Sequence, residues 1–351
     1  MNRTPGKPNG THDGPSGTAE RSASETTMRA IVQDRYGEAG DVLRLEQIDR
    51  PAIGTSEVLL RVHAAGVDRG VWHLMTGLPY LVRLAGYGIR APRTPVRGRE
   101  VAGVVAAIGT DVTRFQPGDE VFGIGDGSFA EYASAREDKL APKPANLTFE
   151  QAAAVPVSAL TALQAVRDRG HVQPGQKVLV IGASGGVGTF AVQIAKALGA
   201  DVTGVCSTAK ADMVRSIGAG RVLDYTRDDI ATGENRYDVI VDTGGHRPVR
   251  QLRRALTPRG TLVIVGSETG GRWLAGIDRQ LRAQLLSPFT GQKLGTFICS
   301  ENSADLLALT ELIQSGQVSP VIDRAYPLSE TAAAIQYMRE GRARGKVVIN
   351  V

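Results

Sequence analysis

One continuous stretch, from Gly175 to Lys196, constrains the fold of this chain more than any other, and it reads "GQKVLVIGASGGVGTFAVQIAK". The apolar run Lys177–Ile181 predicts a buried strand, and Val187–Leu198 carries apolar residues at helical spacing. A glycine-rich turn therefore joins a strand directly to an amphipathic helix. Such a turn lets a pyrophosphate approach the backbone and presents helix N-terminal amides to it. We predict a dinucleotide site formed by Ala183, Ser184, Gly185, Gly186, Val187 and Gly188.

The pattern of predicted strands and helices within residues 148–299 differs from the pattern on either side. Within that range strands and helices alternate, which predicts a parallel, doubly wound α/β sheet of the Rossmann type. Residues 28–147 are rich in strands and punctuated by Gly and Pro. Residues 300–351 are too few to fold alone, so we expect them to complete the strand-rich domain, leaving a ligand cleft between the two bodies. The strands predicted in the alternating part are Lys177–Ile181, Asp201–Cys206, Arg221–Leu223, Tyr237–Val241, Thr261–Val265 and Leu294–Cys299.

Composition excludes several classes of protein. Of the 351 residues, 42% are hydrophobic and 22% charged, as in ordinary globular proteins, and no apolar run approaches the roughly 20 residues of a membrane span. Cys206 and Cys299 stand far apart, which argues against a disulfide framework and favours a reducing cytoplasm. Residues 1–27, rich in Gly, Pro, Ser and Thr, are interpreted as a disordered tail.

The net charge of +5 does not predict a nucleic-acid partner, because basic residues are scattered among acidic ones. The densest basic group lies on a predicted helix after Asp242 and is interpreted as a solvated helix face rather than an anion site. Its members are Arg247, Arg250, Arg253 and Arg254.

The end of the second Rossmann strand indicates which dinucleotide binds. NAD-binding sheets carry a carboxylate there to accept the ribose hydroxyls. Here the strand ends in Cys206, followed by Ser207, Thr208 and Lys210. Two hydroxyls and a cation suit a 2′-phosphate, so NADPH is favoured over NADH. The alternative for Lys210 is a solvated residue in the first turn of a helix.

At this point the sequence resembles the zinc-independent quinone oxidoreductases of the medium-chain dehydrogenase/reductase superfamily. Gly175–Lys196 matches their signature, including Leu179, the Gly185-Gly186-x-Gly188 core, Gln193 and Lys196. Further stretches that fit are "AAGVD" (64–68), "GREVAGVVAAIG" (98–109), "FQPGDEVFG" (115–123), "SALTALQAV" (158–166) and "GKVVI" (345–349).

The resemblance covers Met28 to Val351 and implies a GroES-like catalytic domain, a Rossmann domain, and a homodimer formed through the Leu294–Cys299 edge strands. It implies that Tyr225 joins Ser207, Thr208 and Lys210 around the 2′-phosphate of NADPH. The residues that the resemblance places near the nicotinamide are Thr161, Gly266 and Phe297.

The superfamily also contains zinc alcohol dehydrogenases, but no metal is expected here. Their catalytic zinc uses a Cys in the loop that this chain fills with Val67-Asp68, and a His in a Gly-His-Glu step that reads Gly98-Arg99-Glu100 here. Their four-cysteine structural lobe is absent as well. An open zinc site needs three protein ligands, and both identifiable positions are substituted.

Without zinc, hydride transfer is easiest to acceptors that delocalise the incoming charge, such as quinones and α,β-unsaturated carbonyls. We therefore predict NADPH-dependent reduction of a small-molecule quinone or enone. Two alternatives stay open: an enoyl-thioester reductase of a biosynthetic pathway, and a non-catalytic protein that binds NADPH or RNA.

Three residues of the stretch "GVDRGVWH" are the catalytic candidates. Asp68 either positions the acceptor or caps a loop, Trp72 either stacks on a planar acceptor or packs in the core, and His73 either relays a proton or packs. His63 is interpreted as a structural histidine. Residues 75–94 are interpreted as a rim over the substrate cleft that suits a bulky, partly apolar acceptor.

Overall fold

Residues 1–2, 26–231, 236–266, 273 and 276–351 are described by the computed structural model. Most of the predicted tail lies outside these residues, and Thr27 already begins the first strand. No helix among the described residues combines the length and the apolar character needed to cross a membrane.

The strand-rich part is built around one long strand. Glu57–Val67 pairs with three antiparallel neighbours, and its buried residues alternate with exposed ones up to His63 before the strand becomes buried on both faces. The sheet has seven strands in the order β14-β15-β3-β4-β5-β7, with β6 paired to β3, and a two-stranded ribbon, β1-β2, lies apart from it. The bounds are β1 Thr27–Val32, β2 Arg44–Asp49, β3 Glu57–Val67, β4 Glu100–Ile108, β5 Glu120–Ile124, β6 Tyr132–Arg136, β7 Leu140–Pro142, β14 Ile322–Pro327 and β15 Lys346–Asn350.

The remaining six strands form a parallel sheet in the order β10-β9-β8-β11-β12-β13. This order reverses direction between β8 and β11, as in a Rossmann fold. The α/β fold predicted from the sequence is therefore confirmed. The bounds are β8 Lys177–Ile181, β9 Asp201–Cys206, β10 Arg221–Asp224, β11 Tyr237–Asp242, β12 Leu256–Ile264 and β13 Lys293–Thr296.

One predicted strand ends early. Backbone pairing of β13 with β12 stops at Thr296, so the predicted Leu294–Cys299 strand is too long. The chain beyond it turns toward a helix instead, because both the amide and the carbonyl of Ser300 bond to the side-chain amide of Gln164, at 2.9 and 2.7 Å.

Helices cover both sheets and link them. The bounds are α1 Ala39–Val42, α2 Arg69–Thr76, α3 Tyr80–Val82, α4 Phe149–Ala153, α5 Pro156–Leu163, α6 Gly186–Ala197, α7 Ala211–Ser216, α8 Val249–Ala255, α9 Ile277–Leu286, α10 Ser303–Gln314 and α11 Thr331–Arg339. One continuous apolar cluster includes Phe122 of the antiparallel sheet, Leu160 of α5 and Phe190 of α6. The helix α5 is thus packed between the two halves of the molecule.

The C-terminal segment returns to the strand-rich sheet, where β15 lies between β14 and β3. On its way it touches the glycine-rich turn, since the amide of Gly345 donates to the carbonyl of Ser184 at 2.8 Å. Where the boundary between the two domains falls stays a prediction.

Candidate active site

The glycine-rich turn lies at the carboxyl edge of the parallel sheet, together with the segments that follow β11, β12 and β13. In sheets of this topology the ligand crevice lies outside the carboxyl ends of the strands, at the point where strand order reverses. Here that point is between β8 and β11, directly beside the turn.

The turn has the shape that a pyrophosphate requires. The helix α6 begins at Gly186 with Gly185 as its N-cap and with no side chain capping its amides. A Cβ on Gly188 would lie 2.0 Å from the carbonyl oxygen of Gly182, so only glycine lets the helix pack this closely on the strand. A Cβ on Gly186 would fill a cradle, lying 3.0 Å from Ser158 Oγ and 3.1 Å from Lys346 Cδ. These residues fit the phosphates of a dinucleotide.

The end of β9 differs from the expectation in one respect. A carboxylate does lie there, because β10 runs beside β9 and brings Asp224 opposite Cys206. The Thr208 hydroxyl donates a hydrogen bond to the Asp224 carboxylate. That interaction lowers the pKa of Asp224, as do its bonds to Thr226. The strand β9 itself ends without a carboxylate, as its sequence shows, and Asp224 comes from the neighbouring strand through a pairing that is not visible in the local sequence.

Lys210 is already engaged within the chain. Its Nζ donates to the carbonyl oxygens of Gly341 and Ala343, both at 2.7 Å, and burial lowers its pKa against the attraction of Asp323. The Tyr225 side chain is exposed, and its amide donates to the carbonyl of Cys206 at 3.1 Å. Ser207 is half-buried.

The residues expected near the nicotinamide gather around α5 and the segment after β13. The Thr161 hydroxyl donates to the carbonyl of Val157 at 2.7 Å and also meets the Cys299 thiol. Burial raises the pKa of that thiol, and the contact with Thr161 offsets the rise only in part. Phe297 lies under the Arg169 guanidinium, 5.7 Å from it, and packs on the core. Gly266 follows β12, where a Cβ would lie 3.5 Å from the carbonyl oxygen of Thr243.

Asp68 serves as the N-cap of α2. Its Oδ1 accepts a hydrogen bond from the amide of Val71 at 3.1 Å, which agrees with the capping alternative. Its Oδ2, however, is buried and has no hydrogen-bond partner within the described residues. A buried carboxylate oxygen without a partner is costly, so this atom is poised for a ligand or a water molecule.

Trp72 and His73 are placed by packing. Trp72 lies against the apolar cluster of the strand-rich half, with the Arg339 guanidinium 5.7 Å from its ring, and its Nε1 is buried without a partner among the described residues. His73 Nδ1 lies 2.7 Å from the carbonyl oxygen of Leu78, within hydrogen-bond distance. Both positions agree with the packing alternatives.

His63 is held apart from these residues. Its ring stacks on Phe149 at 4.3 Å, and burial lowers its pKa, as does the nearby Arg61. Within the described ranges no three His, Cys, Asp or Glu side chains gather closely enough to hold a metal ion.

A buried ion pair that the sequence analysis did not identify lies beneath the glycine-rich turn. Glu100 of β4 and Lys346 of β15 pair with each other and are almost fully buried. Glu100 also accepts from the amide of Val157 at 2.9 Å, and Lys346 Nζ bonds to Ser158 Oγ at 3.2 Å. Burial raises the pKa of Glu100 to about 7, even though Lys346 opposes the rise.

A second charged cluster, also missed, spans the cleft between the two sheets. Arg99 Nη2 donates to Glu301, whose other oxygen accepts from Lys139 Nζ at 3.0 Å. Only Arg99 carried a signal in the sequence, through its place in Gly98-Arg99-Glu100, and Glu301 is 202 positions away.

The segment predicted as a rim, residues 75–94, contacts Tyr36, which follows β1. The Tyr36 hydroxyl donates to the carbonyl oxygens of Tyr87 and Gly88, at 3.0 and 2.5 Å. Arg83 lies over the Tyr36 ring at 4.3 Å. The exposed apolar side chains of the segment 75–94 are Leu81, Leu84, Tyr87 and Ile89.

Two family models match the chain. The one described as "Alcohol dehydrogenase GroES-like domain" matches residues 54–145, and the one described as "Zinc-binding dehydrogenase" matches residues 217–349.

Three relatives align over nearly the whole chain. The mouse protein "NAD(P)H oxidoreductase RTN4IP1, mitochondrial" is 34% identical and covers 95% of this chain and 92% of its own. "Quinone-oxidoreductase QR1, chloroplastic" of Triphysaria versicolor is 30% identical, covering 92% and 98%. "NADPH-dependent alkenal/one oxidoreductase, chloroplastic" of Arabidopsis thaliana is 32% identical, covering 92% and 79%.

Solved structures share the fold over the same length. The quinone oxidoreductase of Coxiella burnetii superposes with a TM-score of 0.80 at 27% identity, covering 93% of this chain and 99% of that one. The CurK enoyl reductase superposes with a TM-score of 0.80 at 25% identity, with the same coverage.

Proposed function

This chain belongs to the quinone oxidoreductase family of the medium-chain dehydrogenase/reductase superfamily, and from that premise we propose that it reduces a quinone or an α,β-unsaturated carbonyl with NADPH and without zinc. It is an NAD(P)H-dependent oxidoreductase. The observation that carries the proposal is the uncapped glycine-rich turn of α6, where Gly186 faces Ser158 of α5.

The turn 182–188 supports dinucleotide binding because its open backbone and free helix amides suit a pyrophosphate. Ser207, Lys210 and Tyr225 support NADPH over NADH, while Asp224 acts against it. The proposal requires the Lys210 cation to turn from the carbonyls of Gly341 and Ala343 to the 2′-phosphate and to offset the carboxylate of Asp224. NADPH, when bound, supplies a hydride from its nicotinamide ring.

The side chains of this chain then bind and orient the acceptor. The orphaned Oδ2 of Asp68 can accept a hydrogen bond from a water molecule or from a protonated product oxygen. The apolar rim 75–94 limits access of water to the cleft and suits an acceptor with apolar bulk.

Two positions support a reaction without zinc. Asp68 is occupied as a helix cap, and Arg99, a cation, stands where zinc-containing relatives place a ligand. The family model that names zinc covers residues 217–349 and so contains neither position. Acceptors that spread the incoming charge over their own π system do not need a metal ion for that purpose.

The test is NADPH and NADH consumption with a panel of quinones, enones and enoyl thioesters, after metal analysis of the purified protein. The proposal expects turnover of quinones or enones with NADPH. Turnover of thioesters alone would establish the enoyl-reductase alternative, for which the CurK likeness is the supporting observation. Binding of NADPH with no turnover of any acceptor would establish the non-catalytic alternative.

We also propose a homodimer in the cytoplasm. The edge strand β13 has a neighbour on one side only among the described strands, which leaves its other side open to the same strand of a second copy. Sedimentation equilibrium should give about twice the chain mass of 37.1 kDa, and a monomer at micromolar concentration would refute this.

The two separated cysteines suit any reducing compartment, and cell fractionation tests the location.

A further inference from the structure

Arg99 reaches from the antiparallel sheet across the cleft. It stands at the start of β4, where its carbonyl accepts from the amide of Gly125 at 2.8 Å. Its neighbour Glu100 lies opposite Gly66 of β3, so Arg99 stands beside the end of β3 and the Asp68 loop. Its guanidinium meets Glu301, which follows β13 of the parallel sheet.

The surroundings keep this side chain charged. Burial alone lowers the pKa of Arg99, but the carboxylates of Glu301 and Asp68 and the phenol of Tyr87 raise it above its usual value. Lys139 balances one carboxylate, so two cations face two anions in the resting cleft. The Arg99 side chain is 27% exposed, so it remains open to a ligand from the cleft.

The helix α5 relates this cation to the cofactor site. Near its start, Ser158 contacts the cradle of the glycine-rich turn. One turn later, about 4.5 Å along the axis, Thr161 meets Cys299, and Glu301 follows two residues after Cys299. Along α5, the glycine-rich turn therefore comes first, the region expected for the nicotinamide comes next, and the Arg99–Glu301 pair comes last.

We propose that the Arg99 guanidinium binds the carbonyl oxygen of the hydride acceptor and stabilises the negative charge that forms on it, with Glu301 as its partner in the resting state. This inference rests on the proposed function. A guanidinium has five N–H donors and Glu301 takes one, so an acceptor oxygen can bind without complete loss of the ion pair.

The step balances as follows. A hydride from the cofactor adds to the acceptor carbon at the end of the C=C–C=O system, the C=C π pair forms a new double bond to the carbonyl carbon, and the C=O π pair moves onto the carbonyl oxygen. Arg99 donates hydrogen bonds to this oxygen while the charge is present. Water then supplies the proton, so the acceptor is reduced by two electrons and the cofactor is oxidised.

The first test compares Arg99→Gln with Glu301→Gln. Arg99→Gln should lower kcat about 100-fold, the usual effect of losing one oxyanion donor, while NADPH binding measured by fluorescence titration keeps its Kd. Arg99→Lys, which keeps the charge but not the planar pair of N–H donors, should recover part of the loss. Arg221→Gln, a remote and exposed substitution on β10, controls for total charge.

A second readout needs no turnover. The probe is 4-nitrophenol, whose phenolate resembles the charged acceptor and is measured by its visible absorbance. The wild-type protein should lower the pKa of the bound phenol, Arg99→Gln should abolish that shift, and Glu301→Gln should increase it by releasing the cation.

The outcomes separate the hypotheses. Equal losses of kcat and of the phenol shift in Arg99→Gln and Glu301→Gln would mean a purely structural ion pair and would overturn the inference. If Arg99→Gln turns over the acceptor as fast as the wild type, the role of Arg99 is refuted and the proposed function stands. A wild-type protein that oxidises NADPH with none of the quinones or enones tested would overturn the proposed function instead.

Discussion

Replacing Lys346 by methionine would remove the cation from the buried pair beneath the glycine-rich turn while keeping most of the apolar stem. The Lys346 side chain is 2% exposed and that of Glu100 is fully buried, so no solvent can replace the lost charge. Glu100 would keep its bond from the amide of Val157 but lose its only counter-ion among the described residues. Its pKa, already raised by burial to about 7, must then rise further.

The sign of the pH effect follows from where the proton is bound. In the wild type the folded pKa of Glu100 lies above its ordinary 4.5, so the stability it contributes is complete below pH 4.5 and is lost as the pH rises to about 7. In Lys346→Met the loss continues beyond pH 7, up to the new pKa. The stability gap between the two proteins should therefore be constant below pH 7 and widen by about 1.4 kcal/mol per pH unit above it. At pH 9 this widening reaches about 3 kcal/mol, within the range for breaking a buried pair.

The assay is urea unfolding followed by circular dichroism at pH 6, 7, 8 and 9. The double variant Glu100→Gln/Lys346→Met carries no titrating group at this position, so its gap from the wild type should not widen above pH 7. Lys177→Met removes an exposed lysine at the start of β8 and serves as the matched control. A gap for Lys346→Met that is equal at pH 6 and pH 9 would refute the raised pKa of Glu100.

Three further predictions test the cofactor site. Lys210→Ala should raise the KM for NADPH several-fold and scarcely change that for NADH, and equal effects in steady-state kinetics would contradict a 2′-phosphate contact. Gly188→Ala places a methyl group 2.0 Å from a backbone oxygen. It should lower the free energy of unfolding, measured in urea, by about 1–3 kcal/mol or more, and it should also weaken NADPH binding. Gly40→Ala, where a Cβ meets nothing within 4 Å, should be neutral, and a similar loss there would contradict the packing explanation. Prolonged chelation should leave NADPH oxidation intact, whereas a loss that added zinc restores would refute a zinc-free reaction.

Several elements could be predicted because their signals are local. The strands Lys177–Ile181 and Asp201–Cys206 have the bounds expected from their apolar patterns. The helix α6 starts one residue before its predicted first residue. The glycines of the turn could be assigned individual roles because a tight turn and a close helix leave glycine few substitutes.

The candidate site could be predicted only in part. The sequence located Asp68, but not that one of its oxygens caps α2 while the other is buried without a partner among the described residues. It placed Thr208 at the end of β9, but not the Asp224 carboxylate that binds its hydroxyl. A strand's neighbour in the sheet is chosen by the whole topology, so a contact between strands leaves no mark in either strand alone.

The sequence by itself determined the glycine-rich turn, the parallel sheet behind it and the family, since each rests on residues that are adjacent or regularly spaced. The tertiary structure alone decided which charges face each other. Arg99 meets Glu301 across 202 positions, and Glu100 meets Lys346 across 246. The physical reason is that residues so far apart in the chain meet only once both sheets and α5 have come together, and the burial that raises the pKa of Glu100 exists only then.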